Sequence, residues 1–326
     1  VLRDRHGTAD HTRWGEDATF DPNRVDALAD PSSTAHRELV FHCWLQMHLH
    51  RQLDAAIAHA RAKGVAVKGD LPIGVSPTSV EVWKQPDLFR AGTQTGAPPD
   101  AFAVRGQNWW FPTYVWEAMA AEDFAWWKSR FEAMGRSVDM YRIDHILGFW
   151  RIWEIPPGAI DGLLGSFRPC FPLDGEAIAD ELGVPVGRLR QPVIDEQVLT
   201  DRFGVLAEDV RAACFEGDDS ALQFKDSFAD QISIRDGFDA LGLPEETLRG
   251  LLDLRAEVLL LTVEGGDHPR ISWGDTEAYR SLDEGQRARF DEIASDFDFH
   301  RHEELWAEHA RGILSSLLDA TSLLAC

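Results

Sequence analysis

Apolar positions recur at helical spacing between residues 36 and 62, where Val40, Cys43, Trp44 and Met47 share one stripe and Gly64 supplies the stop. That spacing predicts a long helix. Directly after it, Val65-Ala-Val-Lys-Gly-Asp70 shows the short apolar run of a buried strand, ending on a carboxylate. Residues 92 to 112, rich in Gly, Pro and aromatic side chains, carry no period and read as a loop. Periodicity returns over about 117 to 134, where Ala120, Phe124, Trp127, Phe131 and Met134 fall on one face before Gly135. A second strand pattern runs from Val138 to Asp144 and His145. The order is helix, strand, helix, strand, and each strand delivers an Asp at its C-terminal end, as a (β/α)₈ barrel does with its catalytic groups. The expected fold class is α/β, a partial (β/α)₈ TIM barrel. Residues 157 to 300 read as short helices joined by Gly and Pro turns, Glu303 to Ala320 as an amphipathic helix, and Ser322 to Cys326 as a strand cut off at its far end.

Composition divides the chain. Its 326 residues carry 32 Lys and Arg against 55 Asp and Glu, a net charge of −23. Residues 1 to 156 hold 17 basic and 20 acidic side chains and ten of the twelve Trp, whereas residues 157 to 326 hold 15 basic and 35 acidic. So large a shift places the binding chemistry in the first part and mostly solvated helices in the second. The domain expectation is a partial catalytic barrel over 1–156, an acidic helical segment over 157–300, and a return to the barrel over 301–326. The surplus of carboxylates disfavours nucleic acid and anionic lipid as partners. Nothing reads as a membrane span or a signal segment. Cys43, Cys170, Cys214 and Cys326 are far apart, which points to reduced thiols and a cytoplasmic setting. The absence of an initiator Met and the ending on Leu-Leu-Ala-Cys326 read as a chain truncated at both ends.

Few residues combine position with chemistry. Strand alternation puts Arg142 and Asp144 on the same side, where a guanidinium favours the ionised carboxylate that a nucleophile at a sugar carbon needs. A structural ion pair is the plain alternative. Asp70, closing the neighbouring strand, either holds sugar hydroxyls or caps the next segment through Ser76 and Thr78. Trp126 and Trp127 belong to helix packing, while Trp109 and Trp110 lie in the loop beside Gln107 and Asn108, where flat rings suit pyranoses. His42, His48 and His50 do not share a helix face, so no metal and no cofactor is expected.

These residues resemble the 4-α-glucanotransferases of glycoside hydrolase family 77, the amylomaltases or disproportionating enzymes. The segments that carry the resemblance are Lys68-Gly-Asp-Leu-Pro-Ile-Gly-Val75, Gly96-Ala-Pro-Pro-Asp100, Gly106-Gln-Asn-Trp109, Tyr141-Arg-Ile-Asp-His145 and Gly148 to Pro156. They cover about residues 64 to 156 in register. The flanking segments are similar to the long cytosolic type, in which a helical insertion follows the nucleophile strand.

The resemblance implies a retaining mechanism with Asp144 as nucleophile and Arg142 beside it, and with Asp70 and His145 among the sugar-binding groups. It also implies a loop from Gly96 to Pro112, carrying Asp100, Asn108 and Trp109, over the donor and acceptor subsites. The implied partners are maltose, maltooligosaccharides and glycogen or another glucan acceptor, with a homo-oligomer as a further expectation. Trp110 stands where the family usually has Gly, and Ser76 where the longer type commonly has Asp. The family's general acid Glu sits in a Glu-Asp-Leu-Gly motif that this chain lacks; Glu181-Leu-Gly183 is a faint echo, and Glu154 reads as a buried structural acid. The sequence therefore reads as a nucleophile-bearing fragment that is inactive by itself. A glucan hydrolase and a non-catalytic glucan-binding scaffold are the competing readings.

Overall fold

The computed structural model describes residues 1–318 together with residues 324 and 325. The chain divides into two compact units. The first is Val1–Ala91, Trp110–Trp150 and His309–Cys326; the second is Gly92–Trp109 and Arg151–Glu308. The fold is mixed α/β.

In the first unit the long helix forms as its period requires, over His36–Ala62, and the chain leaves it through Gly64 at φ 73°. Its apolar stripe does not enter a core: Val40, Trp44 and Met47 are about half exposed and Ile57 is the buried residue of the helix. Local spacing is enough to make a helix, but burial of its face depends on what packs against it.

Three parallel strands follow, with Met140–Ile143 in the centre, Lys68–Leu71 on one side and Leu324–Ala325 on the other. Residues 322, 323 and 326 of the strand expected at the C-terminal end lie outside the described residues. The first two strands start together because the Asp139 carboxylate accepts hydrogen bonds from Val67 N and from Arg61 Nε, both at 2.8 Å. The sheets of the described residues are small and open, so the expected TIM barrel is not seen as a closed structure.

The continuous helix expected over 117 to 134 is two helices, Trp116–Ala121 and Ala125–Gly135. Between them Asp123 and Phe124 adopt φ of 52° and 53°, and Phe124 N donates to Met119 O at 2.7 Å, a closure of the Schellman kind. Phe124 is nevertheless buried, so it keeps the apolar period while the backbone breaks. Trp127 is fully buried, with Phe149 at 4.7 Å, Trp126 at 5.0 Å and Tyr114 at 5.4 Å between ring centroids. Phe131 in turn meets Tyr141 of the central strand at 5.1 Å.

The second unit is built on an antiparallel sheet ordered Gln107–Asn108, Gln94–Ala97, Ile152–Ile155, Ser166–Arg168. The expected run of solvated short helices is corrected here. Residues 157–300 also contain two hairpins, Phe215–Asp218 with Ala221–Phe224 and Leu260–Val263 with Gly266–Pro269. They bury cores of their own, one around Leu199, Val210, Ile234 and Leu251, another around Leu189, Leu260, Phe290 and Ala294. Charge on exposed faces dominated the composition and concealed these cores. The buried Asp267 carboxylate ties the parts together by accepting from Arg190 Nε at 3.0 Å, Arg190 Nη2 at 2.8 Å and Thr262 Oγ1 at 2.9 Å.

Two expected outcomes follow from this packing. Trp127→Ala costs roughly 3 to 5 kcal/mol of stability by emptying a site that neighbours cannot refill, measured by denaturant unfolding; a loss below 1 kcal/mol would contradict the packing role. His268 is buried, and burial brings its pKa down to about 4, although its Nδ1 donates to Pro269 O. Between pH 6.5 and 4 the unfolded chain therefore holds a proton on this ring that the folded chain does not, so stability falls on acidification. Burial raises Asp298 to about 6, a contribution of opposite sign. His268→Gln should flatten the loss of stability from pH 6.5 to 4, and Asp298→Asn should steepen it. Parallel stability curves for both variants and wild type would refute this assignment.

Candidate active site

Alternation in the central strand decides which side chains reach solvent. Tyr141 and Ile143 are buried, so Arg142 and Asp144 face the other way. The parallel register sets Asp70 opposite Arg142. Gly69 is required there, because a Cβ at that position would lie 2.9 Å from Val138 Cγ1. The ladder continues past the strand end, with Asp144 N donating to Leu71 O at 3.0 Å.

One guanidinium then serves two carboxylates. Arg142 Nε donates to Asp70 Oδ1 at 3.0 Å, and Arg142 Nη2 to Asp144 Oδ1 at 2.7 Å. Asp70 therefore does not cap the next segment: Ser76 Oγ accepts from Thr78 N at 3.3 Å in a local turn, and Ser79 caps the helix Val80–Lys84 by accepting from Val82 N. All three side chains of the bridge are half exposed. Among the described residues the hydrogen bond to the Asp144 side chain is carried by Oδ1, and Oδ2 has no such partner. His145 follows at φ 51° and opens the turn Ile146–Phe149, whose Phe149 is fully buried against Trp127. Burial lowers the His145 pKa and the adjacent Asp144 charge raises it, with burial prevailing, so the ring is neutral at pH 7. A neutral imidazole is a hydrogen-bonding group, suited to hydroxyls.

The other expected site residues belong to the second unit. Asp100 Oδ1 accepts from Phe102 N at 2.8 Å and Ala103 N at 2.6 Å, folding its own loop. Asn108 Nδ2 donates to Gln94 Oε1, Trp109 N to Thr95 O at 2.9 Å, and Trp109 Nε1 to Gln107 Oε1 at 3.0 Å. Gly96 admits this strand, since a Cβ there would stand 1.9 Å from Gln107 O. Trp110, in the first unit, has φ 61°, a backbone conformation at which glycine is at ease. Trp126 and Trp127 are both buried, in keeping with packing. Glu154 is buried, accepting from Thr93 Oγ1 at 3.2 Å with Arg168 Nε at 3.4 Å, which is the setting of a structural acid. Glu181 instead lies on a helix surface in an ion pair with Arg289 at 2.5 Å. Sequence reasoning missed Arg105, which pairs with Asp161 and Asp253. Its partners lie 56 and 148 positions away, and no periodic or motif signal links them.

The glycoside hydrolase 77 model, described as 4-alpha-glucanotransferase, matches residues 1–315. The chain belongs to this family. The 4-alpha-glucanotransferase DPE2 of Oryza sativa subsp. japonica is 39% identical across 100% of this chain and 36% of its own length. The 4-alpha-glucanotransferase of Thermus thermophilus is 32% identical across 63% of this chain and 43% of its own length. Among solved structures, amylomaltase from Streptococcus agalactiae in complex with acarbose is similar, with TM-score 0.46 and 26% identity, covering 63% of this chain and 46% of that one. The chain thus spans less than half the length of these glucanotransferases.

The shared guanidinium has a direct consequence. Lys at position 142 offers a point charge that cannot fork between two carboxylates. Arg142→Lys should lower the rate of any reaction that the Asp144 carboxylate carries about 10²-fold. A rate within twofold of wild type would reduce the bridge to a structural ion pair.

Proposed function

We propose that this chain carries the nucleophile half of a retaining 4-α-glucanotransferase site, with Asp144 as the nucleophile. The observation that carries the reading is the Arg142 bridge between Asp70 and Asp144 at the C-terminal ends of two adjacent parallel strands. The parallel pairing and the strand-end carboxylates support a segment of a (β/α)₈ barrel. The acidic segment is then the helical insertion of the long cytosolic type, and the setting is the cytoplasm.

In this mechanism Asp144 Oδ2 attacks the anomeric carbon of an α-1,4-glucan and forms a β-glucosyl ester. The bond to the leaving glucan's oxygen breaks, and that oxygen takes a proton from a general acid. A hydroxyl of the acceptor glucan then attacks the same carbon, loses its proton to the same group acting as base, and releases Asp144. Two inversions restore the α configuration. Arg142 orients Asp144, while Asp70 and His145 bond sugar hydroxyls. Asn108 and Trp109 contact the glucan from their loop, with Asp100 shaping it. Glu154 is committed to Thr93 and Arg168, so the proton donor is not assigned to it. Maltose and maltooligosaccharides are the donors, and glycogen or a similar polysaccharide is the acceptor.

The test avoids the general acid. Fluoride leaves without a proton, so 5-fluoro-α-D-glucosyl fluoride needs only the nucleophile for the first step. Incubation followed by peptide mass spectrometry should locate the glycosyl adduct on Asp144 and lose it in Asp144→Asn, and Asp144→Asn should lower turnover of the full-length protein by several orders of magnitude. An adduct on another carboxylate would overturn the assignment. The absence of any adduct in folded protein would favour a glucan-binding scaffold. Longer glucans formed from maltose indicate transfer, and glucose alone indicates hydrolysis.

A further inference from the structure

The loop that carries Asp100, Asn108 and Trp109 is folded into the same compact unit as the acidic segment. Arg105 makes the connection. Its Nε lies 2.7 Å from Asp161 Oδ2 and its Nη1 2.7 Å from Asp253 Oδ1, with all three side chains partly buried. The backbone is equally close: a Cβ on Gly106 would stand 2.9 Å from Gly162 Cα and 2.4 Å from Ala97 O, and one on Gly162 would stand 2.8 Å from Gln107 N. Asn108 Nδ2 also reaches Ala159 O at 3.4 Å. Both carboxylates keep a second cation, since Arg249 Nη2 lies 3.2 Å from Asp161 Oδ2 and Arg249 Nε 3.0 Å from Asp253 Oδ1. Removing Arg105 therefore frees the loop without leaving either acid unpaired.

We propose that Arg105 is a positioning residue, and that the acidic segment, through Asp161 and Asp253, is the platform that holds the loop in its glucan-binding shape and so sets glucan affinity. This rests on the reading of Asn108 and Trp109 as glucan contacts. A loop fixed in advance loses less conformational freedom on binding, whereas a released loop must be ordered by the ligand.

The experiment uses the full-length protein, amide hydrogen exchange and titration with maltoheptaose. Loss of two charge-assisted pairs in Arg105→Gln should speed exchange at residues 101–108 about tenfold and weaken maltoheptaose binding about tenfold. Exchange in the helix Glu245–Arg255 should stay as in wild type. Arg105→Lys should recover part of both effects. Arg249→Gln, which removes the other cation, should leave loop exchange unchanged. Asp253→Asn gives a second route to loosening the loop if Arg105→Gln folds poorly. If Trp109→Ala weakens maltoheptaose binding and Arg105→Gln does not, the platform proposal fails alone. If Trp109→Ala binds maltoheptaose as wild type does, the glucan-contact reading fails and takes the proposal with it. Equal loosening of the loop by Arg105→Gln and Arg249→Gln would also overturn it, as a general effect of the ion network.

Discussion

The first unit depends on one register: Lys68–Leu71 paired in parallel with Met140–Ile143, with Asp70 opposite Arg142. A slip by one residue would send Arg142 and Asp144 into the aromatic core and Tyr141 into solvent. That slip is opposed by the burial of Tyr141 against Phe131 and by the narrow space at Gly69. It is opposed again where Asp139 fixes the strand entry through Val67 N and Arg61. The chemistry is thus set by packing on the opposite face of the sheet. A guanidinium spans two carboxylates because apolar neighbours leave its strand no other register.

The same economy appears in the aromatic cluster. Trp127 and Phe149 secure the segments on either side of the central strand: one belongs to the helix before it, the other to the turn that begins at His145. A left-handed His145 directly after Asp144 is a costly conformation for a residue with a Cβ. The buried Phe149 four residues later stabilises the turn that requires it. Backbone strain next to the nucleophile candidate is therefore offset by ordinary core packing.

The second unit is organised by buried charge as well as by apolar clusters. Asp267 with Arg190 joins a hairpin to the helix Gly187–Arg190, and Arg105 with Asp161 and Asp253 joins a distant loop to a helix. Such pairs cost desolvation, and they fix geometry because each carboxylate tolerates few arrangements of its donors. An acidic composition does not imply a featureless surface when part of that charge is internal wiring.

The sequence by itself determined the long helix, the two strands that bring Asp70 and Asp144 to one end, and the family, because each rests on local period or on a short motif; residues 92 to 112, read as a loop for want of any period, instead hold the strands Gln94–Ala97 and Gln107–Asn108. Asp144, Arg142 and Asp70 were legible as candidates for the same reason: strand alternation needs only neighbouring positions. Tertiary structure alone decided that Asp70 meets Arg142 instead of capping Ser76, since this requires a register between strands 72 positions apart. It alone broke the helix at Asp123 and Phe124, where a buried phenyl ring preserved the pattern that a straight helix would have made. It alone exposed the stripe of the long helix, and it alone joined Arg105 to Asp161 and Asp253. Local spacing records which way a side chain points along its own element; what it meets there is set by chain segments far away in sequence.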